Sequence, residues 1–273
     1  MTAQTRKSLP PNGFSLISNE KLLALYSNLL KCSMMEERAR ILLKKRKLPI
    51  SCLGPALQAA AVGVAIDLFP EDTVITFPGD LVSLFVKGLP LGELVRRLLN
   101  PASPPPTAAA QLRLAASAAL AHKEEKSGKL VVVFNLAKTD SQGSWSRALR
   151  SAGARNLPIV FVSRKSLPTE PANSNPRPSK RDIALAANPF GFPAIAVDGS
   201  DVVAVYRVAC EAIAHARKGN GPTLIEPANC APVADPILIM EKYLASKNLF
   251  SQEWKLKVLA GFATELDNAV QMG

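Results

Sequence analysis

Two apolar runs, Leu130 to Phe134 and Ile159 to Val162, are short, β-branched and free of polar alternation. A strand covered on one face alternates apolar and polar residues. An unbroken run of this length predicts a strand covered on both faces, the usual situation in a parallel sheet. Ala194–Val197 and Thr223–Ile225 read the same way. Around them the period changes to that of a helix. Leu22, Leu25, Tyr26, Leu29 and Leu30 recur at helical spacing behind Ser18, a good N-cap, and predict an entry helix over Ser18–Ala39. Val202, Val205, Tyr206, Ala209, Ile213 and Ala216 line one face of a helix over Asp201–Lys218. Arg217 and Lys218 suit the negative end of that helix, and Gly219 suits a left-handed exit from it. Further helices are predicted over Ser144–Ala154 and from near Glu253 to Val270. The order predicts an α/β fold: a mostly parallel sheet flanked by helices on both faces, with right-handed crossovers.

In an open parallel sheet, ligands bind beyond the carboxyl ends of the strands. Here those ends open into Asn135–Gly143 and Ser163–Ser166. The fragment holding both loops, KLVVVFNLAKTDSQGSWSRALRSAGARNLPIVFVSRKS, resembles the cofactor-binding unit of the alpha subunit of thiamine diphosphate-dependent 2-oxo acid dehydrogenases of the pyruvate and branched-chain types. That family reads GDG, then SQG or a near relative, a helix, an LPV-type strand and an Asn pair. Anchored on Ser141-Gln142-Gly143 and Leu157-Pro158, its GDG falls on Leu136-Ala137-Lys138 and its Asn pair on Lys165 and Ser166. In the family the Asp and an Asn ligate the magnesium that bridges the diphosphate, and magnesium demands hard oxygen ligands in near-octahedral geometry. Ala137 offers no side-chain oxygen and Ser166 only a hydroxyl. The resemblance therefore implies Lys138 and Ser166 as degenerate cofactor-binding positions, no metal ligand and no catalytic residue, with weak or absent binding of thiamine diphosphate and magnesium. Asp140 lies three residues beyond Ala137, far enough along a loop for the side-chain direction to reverse, so it carries little weight as a replacement carboxylate.

The resemblance extends, as a patchwork in the right order, over nearly the whole chain. Ser18–Ala39 matches the family's entry helix, AAAVGVAIDLFPEDTVITF its first sheet region, GLPLGEL a helix start, and Val197–Glu226 a helix and strand. The segment from Asp235-Pro236 onward matches its C-terminal arm. Departures cluster at sites. The YRxHG-like segment corresponds to Phe77-Pro78-Gly79-Asp80-Leu81, without its Tyr, Arg and His. A Gly-rich loop with its His is replaced by NPASPPPT, Asn100–Thr107, and the Arg and Gly-His-Ser segment after TLIE by PANCAPVAD. The resemblance implies a thiamine diphosphate-binding-like fold in an oligomer with a beta-subunit-like protein. In that family the thiazolium carbanion attacks a 2-oxo acid, carbon dioxide leaves and the acyl group passes to lipoamide. The degraded motifs favour a catalytically impaired chain, a pseudoenzyme acting as a non-catalytic or regulatory subunit. A functional alpha subunit in oxidative decarboxylation is the alternative, and a basic scaffold for acidic partners is the third reading.

Composition adds bounds. The 273 residues, 48% hydrophobic, suffice for a large core, and the expected organisation is a tail over residues 1–14 and one domain over 15–273 with a C-terminal helical arm. Leu48–Ile66 is the longest uncharged stretch, but two prolines and many alanines argue against a membrane span. No apolar segment follows Arg6 and Lys7, so no secretory signal is expected and a cytoplasmic location is. The four cysteines, Cys32, Cys52, Cys210 and Cys230, have no paired spacing and read as small buried hydrophobes. His122 and His215 read as solvated helix residues. A net charge of +11 favours acidic partners, yet only 5% of residues are aromatic and no recognition module is present, so specific nucleic-acid binding is not expected. No GxGxxG follows a strand and no GxxxxGK[ST] occurs. Pro168–Pro178 reads as a flexible surface loop. Oligomerisation is expected through the entry and terminal helices, because Trp254, Leu256, Leu259, Phe262 and Leu266 give the latter more apolar surface than a solitary helix should expose.

Overall fold

Among the described residues, five strands form one wholly parallel sheet: β1 (Thr73–Ile75), β2 (Val131–Asn135), β3 (Ile159–Ser163), β4 (Ala194–Asp198) and β5 (Thr223–Ala228), in the order β1-β2-β3-β5-β4. The four strands expected from the apolar runs are all present. The structure is a computed structural model and describes residues 17–45, 55–76, 80–100, 107–135, 142–163, 190–228 and 235–272. The expected tail over residues 1–14 and the Pro168–Pro178 loop lie outside these, as do Cys52 and Cys230.

Helices cover both faces. They are α1 (Asn19–Lys45), α2 (Pro55–Ala65), α3 (Val82–Val86), α4 (Leu91–Leu99), α5 (Ala108–Glu124), α6 (Gln142–Ala154), α7 (Val202–Arg217), α8 (Pro236–Ser246) and α9 (Gln252–Met272). Because successive strand side chains point to opposite faces, β2 sends Val131 and Val133 into one core and Val132 and Phe134 into the other. The first core is closed by Leu112 and Ala115 of α5 and Leu149 of α6. The second, larger core is closed by α1, α2, α7 and the C-terminal helices. This double cover explains why the runs are unalternated.

The caps follow the sequence. Ser18 Oγ accepts from Lys21 N at 3.2 Å, and Asp201 accepts from Val203 N and Ala204 N at 2.9 and 3.0 Å. Gly219 leaves α7 with φ +76°. In the segment matched to the first sheet region, Ala59–Ala65 is helical, and among its described residues Thr73–Ile75 alone is strand. Helix α2 is buried nearly all round, so it carries no polar stripe to mark it as a helix. It approaches α7 closely at Gly63, where a Cβ would lie 2.8 Å from Val205 Cγ1 and 3.0 Å from the Tyr206 amide nitrogen.

The terminal helix also departs from expectation. Its stripe turns inward onto α1 and its neighbours: Phe262, Leu266 and Ala269 are buried, and Trp254 stacks on Tyr26 with centroids 5.7 Å apart. Tyr26 Oη donates to Glu241 Oε1 of α8 at 2.6 Å, and Lys255 Nζ reaches the same oxygen at 2.6 Å. Of the five apolar residues expected at the surface, Leu256 is the one left largely exposed, at 57%.

The amino end of the sheet is latched by a carboxylate. Asp72, whose side chain is fully enclosed, accepts from Phe69 N at 2.7 Å, Leu130 N at 3.1 Å and both terminal nitrogens of Arg217 at 3.0 and 2.5 Å. Arg217 donates also to Gly128 O at 2.8 Å and lies 3.9 Å over the Phe69 ring. Breaking a buried pair from one side strands the other charge, so Asp72→Ala is expected to lower unfolding free energy by about 3–5 kcal/mol. Gly63→Ala overpacks the α2–α7 crossing against a backbone amide and is expected to cost about 1–3 kcal/mol. Urea denaturation checks both; a loss under about 1 kcal/mol for Asp72→Ala would remove the latch from its role.

Candidate functional site

β2 and β3 pair without a slip from Val131↔Ile159 to Asn135↔Ser163. Neighbouring strands lie about 4.8 Å apart, so the chain leaves both at the same height and side by side. The ends of β2 and β3 therefore lie side by side at the carboxyl edge, where a ligand of a parallel sheet binds. Ala137, Lys138 and Ser166 follow those ends in sequence and lie outside the described residues. So do Phe77–Gly79, and Asn229–Ala234 after β5.

The described part of this edge is a polar network at the end of β1. Asp80, 2% exposed, accepts from the hydroxyls of Thr76 and Ser83, and from Ser83 N at 3.0 Å. The local sequence dictates this: Asp80 precedes the first turn of α3 and meets the amide three residues on, as an N-terminal acceptor does. Burial pushes the Asp80 carboxyl above its ordinary 3.8, and the Ser83 and Thr76 donors only partly offset it. Gln111 Nε2 of α5 donates to Thr76 O at 2.6 Å, fixing the chain where it leaves β1.

On the α1 side, the buried Glu36 accepts from Gln58 Nε2 at 2.5 Å. Cys32 is enclosed; burial first, then the charges of Glu36 and Asp80, push its thiol well up. A thiol so placed resists forming the thiolate that nucleophilic chemistry needs. At the far side of the edge, Asp198 Oδ1 accepts from Ser200 N at 2.9 Å and Asp201 caps α7. Glu226, beside Ala196 in register, is buried near the end of β5.

Neither histidine joins this edge. His122 is half-buried rather than solvated, with Nε2 3.1 Å from the Oγ1 of Thr73, the first residue of β1. His215 lies near Pro193 and Thr223, at the amino ends of β4 and β5. Among the described residues, no three His, Cys, Asp or Glu side chains come together as a metal site, and no helix is long and apolar enough to cross a membrane. Sequence reading passed over the Asp80 network, although Asp-Leu-Val-Ser at the head of an apolar run is a capping signal.

The pattern of the family described as Dehydrogenase E1 component matches residues 104–230. The chain is 28% identical over 242 residues to the alpha subunit of acetoin:2,6-dichlorophenolindophenol oxidoreductase from Bacillus subtilis, covering 81% of this chain and 72% of the relative. The alpha subunit of 2-oxoisovalerate dehydrogenase from the same organism is 24% identical, covering 87% and 86%. The alpha subunit of the pyruvate dehydrogenase E1 component of Staphylococcus aureus is 24% identical, covering 93% and 78%. Among solved structures, a thiamin diphosphate-dependent enzyme from Mycobacterium smegmatis aligns with TM-score 0.38 at 17% identity, over 63% of this chain and 31% of its own. The resemblance to 2-oxo acid dehydrogenase alpha subunits read from the motifs is borne out, at low identity.

Asp80 gives a signed expectation. The folded state holds its proton to a higher pH than the unfolded chain does, so this residue's contribution to stability falls as pH rises from about 3.8 through the folded value, then levels. Asp80→Asn removes that fall. Urea midpoints measured between pH 4 and 7 should decline less with pH in the variant than in the parent; equal slopes would place Asp80 with the ordinary carboxylates.

Proposed function

We propose that this chain is a divergent alpha-subunit-like protein of a 2-oxo acid dehydrogenase assembly, catalytically impaired and acting as a non-catalytic or regulatory subunit beside a beta-subunit-like protein. The observation that carries this reading is the Asn135↔Ser163 pairing. It brings together the starts of the two loops that hold a metal-bridged diphosphate in the related family, while the sequence supplies Ala137, Lys138 and Ser166 there. That donor set does not fit magnesium: position 137 has no oxygen to offer, and an ammonium at 138 repels a cation. No reaction step is therefore assigned to the cofactor in this chain. The suppressed thiolate of Cys32 supports a structural rather than a chemical use of the edge.

The second reading, a working alpha subunit, draws support from the relatives, whose names are those of enzyme subunits. Binding separates the two. Two lost interactions with a charged group, at about 1.5–3 kcal/mol each, weaken magnesium thiamine diphosphate on the order of a hundredfold or more. Isothermal titration should show no micromolar binding, and Ala137→Asp with Ser166→Asn should raise the affinity. Micromolar, magnesium-dependent binding to the unaltered chain would overturn the first reading. Light scattering of the chain mixed with a beta-like subunit should show an assembly; a stable monomer both alone and in the mixture would count against the partner.

A further inference from the structure

At the amino end of the sheet, β4 and the last turns of α7 line an open cleft of about 210 Å³. Pro193 and Ile195 line the strand side. Glu211, His215 and Lys218 come from α7, spaced four and three residues apart, so they lie in one stripe along the helix. Asn220 joins them from the turn before β5. Among the described residues, none of these four side chains is held by a hydrogen bond or an ion pair. An acid, an imidazole, an amine and an amide thus share one open recess beside an apolar wall, with no partner from the described residues of this chain.

We propose that this cleft binds a small aliphatic α-amino acid. Its ammonium goes to the Glu211 carboxylate, its carboxylate to Lys218 and Asn220, and its side chain to Pro193 and Ile195. The spacing fits. Seven residues of helix separate Glu211 from Lys218 by roughly 10.5 Å along the axis. Two charge-assisted hydrogen bonds of about 2.8 Å each, with an α-amino acid between them, cover most of that distance. A lone anion would leave Glu211 repelling it, and a lone cation would meet Lys218; a zwitterion satisfies both. Pro193 and Ile195 offer a short apolar wall on which a branched aliphatic side chain packs. The site lies at the amino ends of β4 and β5, and its occupation is independent of whether the carboxyl-edge loops hold a cofactor.

Titration calorimetry on the full chain tests this with L-leucine and two truncated probes, 4-methylpentanoate without the ammonium and 3-methylbutylamine without the carboxylate. L-leucine should bind saturably, and each probe should bind roughly tenfold or more weaker, as expected for losing one charge-assisted contact. Glu211→Gln and Lys218→Met, both at exposed positions, should each weaken L-leucine by a similar factor while leaving the circular dichroism spectrum unchanged. Absence of saturable leucine binding overturns the proposal. So does equal binding of either probe, or leucine binding that neither substitution alters. Magnesium thiamine diphosphate binding, measured on the same samples, should be the same with and without L-leucine, so this site and the subunit reading fail or stand separately.

Discussion

A single buried carboxylate, Asp72, sets the frame on which everything at the opposite edge hangs. β1 has three residues and pairs only with β2 among the described strands, too little to hold it by ladder hydrogen bonds alone. Asp72 sits just ahead of it and joins the chain before β1, the start of β2 and the end of α7, which are 58 and 145 residues away in sequence. An ion buried without partners would be prohibitively costly, so the folded state must bring all of these donors to it. The amino end is thereby fixed, and the register of β1 with β2 fixes the height at which Thr76 and Asp80 emerge.

Polar groups elsewhere follow the same economy of position. Asp67 accepts from Tyr206 Oη at 2.6 Å and from Lys21 Nζ, tying α7 and α1 to the end of α2. Burial, with the Asp67 hydrogen bond second, pushes the Tyr206 hydroxyl above its ordinary value. Glu241 serves α1, α8 and α9 in the same way. These groups hold helices to one another, and each is satisfied by a partner from a remote part of the chain.

That remoteness separates what was legible in the sequence from what was not. Strands buried on both faces announce themselves because burial leaves no polar position, and α1 and α7 do so because a one-sided stripe repeats. Helix α2 defeats the same logic: enclosed on nearly every side, its alanines and valines have no period to read. Trp254 and Phe262 were legible as an apolar stripe, but not as the cover for α1, since the stripe does not name what it covers. The Asp72 latch was invisible for a deeper reason. The latch needs three remote segments together, and no local pattern records that; the Asp80 network is local, and its capping signal was legible but passed over. The positions most telling for chemistry, Lys138 and Ser166, were readable only through the family likeness.

The union of α1 with α9 has a temporal side. Arg38 and Asp267 pair across 229 residues at 2.5 Å, and Tyr26 stacks on Trp254 of the same helix. A ribosome adding about 5–20 residues each second delivers the covering helix tens of seconds to within a minute after α1. For that interval the Tyr26 ring lacks its Trp254 cover and must be shielded by other means. A chain built this way is exposed to misassociation while it is being made, and a cell that uses it has reason to supply a chaperone, or the protein that will share its assembly, before synthesis ends.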